Sequence, residues 1–416
     1  MMNSNELSFL RHASVQGAAA LTRGNILSPF SKLRALLEGI KPGHETPIDL
    51  TIGEPKGIIP PFLFEKISEA SCEFGRYPPI KGTEDLRAAI SGWVSRRYKL
   101  KMQVDSAKEV LVLNGTREGL SLACVPAVAR KSDLKNPAIL MCNPYYSAYL
   151  AGALGCGAEA VFLDATHENN FLPNLDELEA EIPLLTRTAA LFICSPANPQ
   201  GTVANKNYIL KALKLGRKYN FMVFLDECYS EIYTEAPPLG GLEVAAETTE
   251  RFNNLVIFNS LSKRSNVPGL RSGFCAGDPH FLEIYSEIRN MCGPQVPGPL
   301  QYASAAVWAE ETHVVQSRED YRKKFALADR ILGNKFGYRR PDGGFCLWLD
   351  MSHLSGGISA AVTLWKAFGV KVIPGAFLAQ PGRDGRNPGQ NYVRVALVQS
   401  SALVEEALKR IVSVAD

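Results

Sequence analysis

The sequence predicts an α/β protein. It has a large domain on a mainly parallel mixed sheet and a smaller α+β domain after it. Three observations carry this. Short apolar runs alternate with longer amphipathic stretches. Several of those runs are apolar on successive residues, as in strands covered by helices on both faces. The pattern then changes after the Gly- and Pro-rich segment Gly293–Pro299. The 416 residues suffice for more than one domain. A hydrophobic content of 46% against 21% charged residues excludes a disordered or fibrous chain, because it supplies a large core.

Taken in order, residues 1–24 read as a flexible leader, with Arg11 and Arg23 and few acids, faintly like a transit peptide. Residues 25–50, with a helix over Ser31–Leu37, are expected to pack with the small domain. The large domain is expected over 51–293. Its strands are Glu109–Leu113, Ala138–Cys142, Ala189–Cys194, Phe221–Leu225, Leu255–Asn259 and Gly273–Ala276. Helices are expected over Arg117–Val128, Asn205–Tyr219 and Pro279–Asn290. The small domain is expected over 294–416. It begins with one long helix from about Leu300 to Leu332 and has strands near Gly344–Leu349, Lys371–Ile373 and Tyr392–Ala396. Gln380–Asn391 reads as a polar, Gly-rich loop.

Composition excludes several functions. Lys+Arg is 45 and Asp+Glu 42, with no basic run of the kind a nucleic-acid binder concentrates. No apolar run approaches the ~20 residues of a membrane span, and no secretory signal pattern is present. The nine cysteines form no CxxC pair and no zinc spacing. They read as free thiols in a reducing cytoplasm, largely buried. No GxGxxG follows a strand, and there is no GxxxxGK[ST] motif. The six histidines form neither an HExxH nor an HxxxH pair. The chemistry therefore falls to other residues.

Four segments are candidates. In NSLSKRSNVPGLRSG, Lys263 follows an apolar strand. A lysine there is costly unless partnered or neutral, and a neutral lysine attacks carbonyls. Ser260, Ser262 and Arg271 add two hydroxyls and a guanidinium fork suited to a phosphate. An aldehyde and a phosphate on one molecule describe pyridoxal phosphate; the alternative is a solvated basic turn. In FMVFLDECYSEIY, Asp226 ends an apolar strand, where ligands bind in open α/β sheets. It could keep a pyridine nitrogen protonated, or merely cap a helix. Tyr229 could donate to the ring's phenolic oxygen, as could Asn198 in CSPANPQGT, although Asn-Pro is also a common turn. In LVLNGTREGL, Gly115, Thr116 and Arg117 lie between strand and helix, where backbone N–H groups face an anion; an ordinary helix cap is the alternative.

Together these segments resemble the fold-type-I, class I/II pyridoxal phosphate-dependent aminotransferases. SLSKRSNVPGLRSG resembles the family's attachment site, with small, apolar and small residues before the lysine and Arg271 eight positions after it. Ser272 departs from the family's apolar residue or Ala. DLTIGEP, YPPIKGTEDLRAAI, NPYYSAY and VRVALV extend the resemblance over roughly residues 25–414. By this resemblance Lys263 links to the cofactor and then shuttles the substrate proton. Asp226 pairs with the pyridine nitrogen, and Tyr229 and Asn198 bond the phenolic oxygen. Thr116, Ser260, Ser262 and Arg271 hold the phosphate, with backbone groups of Gly115, Thr116 and Arg117. The Arg117 position is often Lys, Gln or Ala in the family. Tyr146 stacks on the ring. Tyr77 reaches the phosphate of a neighbouring subunit, which implies a homodimer with shared sites. Arg394 clamps the substrate carboxylate with the Gly53 N–H, and Asn198 borders the substrate.

KRSNVPGLRSGF with IGEPKG and YPPIKGTEDLR is most similar to the bacterial succinyldiaminopimelate transaminases. The implied reaction moves an amino group between glutamate/2-oxoglutarate and N-succinyl-LL-2,6-diaminopimelate/its 6-oxo acid in lysine biosynthesis. A distal substrate carboxylate would need a further cation, with Arg34, Arg76, Lys81 and Arg264 as candidates. Aspartate, aromatic or LL-diaminopimelate aminotransferases and a C–S β-lyase are the alternatives. A DNA-binding regulator built on this fold carries a helix-turn-helix in front, for which some 24 residues are too few.

Overall fold

The computed structural model describes residues 13–17, 28–382 and 384–414. Its main sheet has the order β1-β5-β4-β6-β7-β8-β9-β3. These strands are β1 (Ala13–Val15), β3 (Val110–Leu113), β4 (Ala138–Asn143), β5 (Glu159–Asp164), β6 (Thr188–Cys194), β7 (Met222–Asp226), β8 (Leu255–Ser260) and β9 (Gly273–Gly277). Strands β4 to β8 run parallel to one another, whereas β9 is antiparallel to both β8 and β3. The continuous apolar runs are explained by burial: every residue of β3, β7, β8 and β9 is buried. Helices cover both faces, and two apolar clusters lie on either side of the sheet.

Two strands of this sheet were not expected from the sequence. Strand β5 begins with Glu159, which is buried because Arg187 pairs with it at 2.6 Å. A charged residue at its head hid the run. Strand β1 lies inside the expected 1–24 leader and pairs antiparallel with β5. Of that leader only residues 13–17 are described, and 13–15 are an edge strand and not an irregular tail. Arg11 and Arg23 lie outside the described residues.

The smaller sheet has the order β10-β13-β12, with β10 (Cys346–Asp350), β12 (Ile373–Pro374) and β13 (Tyr392–Ala396). The expected strand at 371–373 is split. β11 (Val370–Lys371) pairs in parallel with β2 (Ile48–Asp49), and β12 pairs with β13. Helix Pro29–Leu36, capped by Ser28, joins this side through Leu33 and Leu37 against Ile373 and Leu378.

The expected domain boundary at 293/294 is displaced. Helix Gly298–Ala309 packs on Glu84–Arg97, and Trp308 lies 4.7 Å from Trp93 within the large-domain core. The single helix expected over 300–332 is two, Gly298–Ala309 and Thr312–Leu332. The Glu310 carboxylate accepts from the backbone N–H groups of Thr312 and His313, which starts the second helix. Tyr321 and Phe325 of that helix enter the second core, so the change of domain falls near 310–312. Likewise the helix expected over 117–128 is two, Thr116–Leu122 and Cys124–Ala129. Pro126 sits in the second, and a proline has no N–H to continue a helix from before it. The other two expected helices stand. Asn205 caps Lys206–Lys218 and Asp278 caps Pro279–Cys292.

Candidate active site

The site lies at the carboxyl ends of β6, β7 and β8, where an open parallel sheet leaves a crevice. Asp226 is the last residue of β7 and is buried. Its carboxylate accepts from Tyr149 Oη at 2.7 Å and from the Cys228 N–H at 3.2 Å. Burial pushes its pKa up, and those two hydrogen bonds pull it back. A buried carboxylate of this kind suits a cationic ring N–H.

Lys263 sits in the short helix Leu261–Arg264 directly after β8. Its Nζ donates to the Gly53 carbonyl and lies 5.3 Å from the Phe345 ring centroid. Burial lowers its pKa to about 8. A substantial neutral fraction therefore exists near neutrality, as a nucleophilic amine requires.

Asn198 joins two further groups. Its Nδ2 donates to Tyr229 Oη at 3.3 Å, and its Oδ1 accepts from Arg394 Nη1 at 3.3 Å. Arg394, central in β13, also donates from Nη2 to the Thr51 carbonyl at 2.6 Å. Its buried Nε has no partner among the described residues. The small-domain sheet thus delivers a guanidinium, with its Nε–H unused, to the large-domain loop.

A second group surrounds Gly115. There φ is +76°, and a Cβ would collide with the Arg271 guanidinium. Arg271 itself is left-handed at φ +54°, a strained conformation of the kind that collects at ligand sites. Ser260 Oγ donates to Ser262 Oγ at 2.8 Å and accepts from the Ser262 N–H at 3.0 Å. An ideal Cβ on Gly273 would lie within 3.5 Å of both Thr116 and Ser260. Two hydroxyl-bearing turns, a guanidinium and a side-chain-free backbone form a cradle with the donor chemistry a phosphate needs. Thr116 Oγ1 lies 3.2 Å from Cys228 Sγ, which ties this cradle to the Asp226 loop.

The structure thus brings together Lys263, Asp226, Tyr229, Asn198, Arg394 and Gly53, and beside them Gly115, Thr116, Ser260, Ser262 and Arg271. The Arg117 side chain, assigned no role from the sequence, donates from Nε to Tyr146 Oη at 2.8 Å and so holds the ring of Tyr146. Gly53 offers its carbonyl to Lys263. Tyr77 does not join the site within one chain; its side chain is 100% exposed. Of the four distal cation candidates, Arg264 is taken by the fold. It is buried between Trp93 and Trp308 and bonded to Glu311, Val307 and Ser265. Arg34, Arg76 and Lys81 are exposed. Ser272 is buried, and its hydroxyl has no partner among the described residues.

Sequence reasoning assigned no role to Tyr149. Its position three residues after Tyr146, on the same helical face, was the available signal. Phe345 was missed as well. The thiols follow expectation in part: Cys124, Cys228, Cys275 and Cys346 are buried, while Cys72 and Cys292 are exposed. Among the described residues no His/Cys/Asp/Glu group could hold a metal ion, and no helix is long and apolar enough to cross a membrane.

Residues 45–411 match the model of the aminotransferase class I and II family, and the chain belongs to that family. Pyridoxal phosphate is the cofactor of these enzymes, and the donor set fits it: a reactive amine, a buried carboxylate and a phosphate cradle. An aminotransferase of Neisseria meningitidis has the same fold with a TM-score of 0.87. It is 37% identical, over 93% of this chain and 97% of that one. The aminotransferase AspB of Helicobacter pylori gives 0.84 at 33% identity, over 93% and 98% of the two chains. Among curated relatives, an LL-diaminopimelate aminotransferase of Syntrophobacter fumaroxidans is 28% identical, over 87% of this chain and 90% of its own.

Proposed function

We propose that the protein transfers an amino group between glutamate and the 6-oxo acid of N-succinyl-LL-2,6-diaminopimelate, using Lys263 as the reactive amine. The observation that carries the transamination is the meeting of Lys263 with Arg394 and Asn198 from opposite domains. Bound pyridoxal phosphate supplies an electron sink for the bond broken at the substrate Cα. The residues do the rest. Arg394 clamps the α-carboxylate with its remaining N–H groups, which fixes the orientation of that bond. Lys263 then moves the proton, being poised near neutrality. Asp226, held by Tyr149, would accept from a protonated ring nitrogen of the cofactor. Thr116, Ser260, Ser262 and Arg271 retain the phosphate.

The motifs IGEPKG, YPPIKGTEDLR and KRSNVPGLRSGF support the succinylated substrate. A second reading is favoured by the names of several relatives. The enzymes of Syntrophobacter fumaroxidans, Moorella thermoacetica and Aquifex aeolicus are LL-diaminopimelate aminotransferases. Both readings share a long substrate with a carboxylate at its far end. We further propose a cytoplasmic homodimer. Tyr77, fully exposed, reaches the partner's phosphate cradle.

The test is a visible spectrum of the purified protein with pyridoxal phosphate, before and after glutamate, followed by an acceptor panel. Bleaching by glutamate with fastest turnover of the succinylated oxo acid supports the proposal. Bleaching by LL-diaminopimelate that 2-oxoglutarate reverses, with no turnover of the succinylated compound, moves the assignment to the second reading. Pyruvate and ammonia release from cystathionine would mark a β-lyase.

A further inference from the structure

We infer that Phe345 is a positioning residue that keeps Lys263 dry and registers the small domain on the reacting amine; this rests on Lys263 being the reactive amine of the proposed function. Phe345 precedes β10, and its side chain is buried. The ring faces four groups. Lys263 Nζ lies 5.3 Å from its centroid. The Tyr229 ring meets it edge-on at 5.2 Å. Tyr321, from the helix Thr312–Leu332, stacks on it at 5.8 Å. A Cβ built on Gly53 would lie 3.1 Å from it, so Gly53 leaves the ring room to approach the carbonyl that Lys263 uses.

The backbone around Phe345 is latched to the three segments that carry Asn198, Tyr229 and Arg394. The Gly343 N–H donates to the Gly201 carbonyl at 3.0 Å, three residues beyond Asn198. The Gly344 N–H donates to the Ile232 carbonyl at 2.8 Å, three beyond Tyr229. The Phe345 carbonyl accepts from the Leu397 N–H at 2.9 Å, three beyond Arg394. Gly343 is required because a Cβ there would meet Pro196 and the Ile232 carbonyl; Gly344 is required by φ +80°. A ring fixed in this way cannot shift without moving Asn198, Tyr229 and Arg394 together.

Its effect on Lys263 has two opposing parts. An aromatic face attracts an ammonium and favours the charged form. Excluding water disfavours it, by up to ~3–5 units for a fully buried amine. The lysine's other charged and titratable neighbours are Cys228 and Asp226 on the β7 loop, Cys346 on β10, Arg394 on β13 and Glu54 on the loop after β2. Burial is the largest of these influences and lowers the value, and the ring is one of the groups that supply it.

The experiment is the pH dependence of Lys263 acetylation in the full-length, cofactor-free protein, read by mass spectrometry on the peptide that contains it. The midpoint separates basicity from access, which changes only the plateau. Phe345→Ala is expected to raise the midpoint by about one unit, towards an ordinary lysine, as water enters. Phe345→Leu, apolar without a ring face, is expected to leave it at or below the wild-type value. If Phe345→Ala does not fold, Phe345→Val is read on the same scale. An unmoved midpoint with a lowered melting temperature would show that the ring only packs, and would overturn the inference. Borohydride reduction of the wild-type protein with pyridoxal phosphate tests the underlying reading separately. Label on any lysine other than Lys263 overturns the assignment of the amine, while the Phe345 titration remains readable by itself.

Discussion

The floor of the site and its rim are built differently. The floor consists of Asp226 and Tyr149, both buried, and Lys263, half-buried directly after β8. Each polar group there has a fixed partner within the chain. The rim consists of Arg117, Arg271 and Tyr77, all exposed. The contrast separates two tasks. Electrostatics are strong where water is excluded, so groups that change protonation belong on the floor. Groups that admit substrate, or reach a second subunit, have to stay at the surface.

The largest test of this division is Lys263→Ala. It is expected to lower turnover of glutamate and an oxo acid by more than ~10³-fold while pyridoxal phosphate still binds without a covalent link. Full activity in that variant would remove Lys263 from the chemistry. Asp226→Asn comes next, with an expected fall in kcat on the order of 10²–10³-fold, because a buried charge pair broken on one side costs ~3–5 kcal/mol. Steady-state kinetics at saturating substrates would check it. Unchanged kcat would mean the carboxylate is structural.

Tyr149→Phe removes one hydrogen bond to that carboxylate. A bond to a charged group contributes ~1.5–3 kcal/mol, so a loss of roughly 10–100-fold in kcat is expected, with little change in KM. Arg394→Lys should do the reverse. It replaces a planar fork by a point charge and raises KM for the 2-oxo acid about tenfold, with kcat less affected. If both variants changed only KM, the distinction between floor and carboxylate clamp would fail.

The smallest effect is on stability. Lys263 is folded with a pKa near 8, against an ordinary 10.5. The unfolded chain therefore binds more protons between those values, and stability rises with pH across that window. Below pH 8 the buried ammonium costs the cofactor-free protein on the order of 3 kcal/mol. Lys263→Met is expected to raise its melting temperature by a few degrees at pH 7, and the gain should vanish above about pH 10. A constant difference at every pH would show that Lys263 is not the group whose charge is penalised.

The buried strands were legible because burial on both faces leaves an unbroken apolar run, as in β3, β7 and β8. Strand β5 was not, since Glu159 is tolerated at its head only through Arg187, 28 residues away. The attachment segment was legible because Lys263, Ser260, Ser262 and Arg271 lie within twelve residues of chain. Arg264 shows the limit. From the sequence it is a cation beside the site, and in the fold it is enclosed by two tryptophans and a carboxylate.

The sequence by itself determined the α/β class, the family resemblance and the residues of the local motifs, because hydrophobic period and short spacings are local properties of a chain. The tertiary structure decided which domain holds Gly298–Ala309, that Tyr149 serves Asp226, and that Phe345 meets Lys263 across 82 residues. Those outcomes depend on which surfaces exclude water from one another. That exclusion arises only when segments distant in the chain pack together, and no local pattern encodes it.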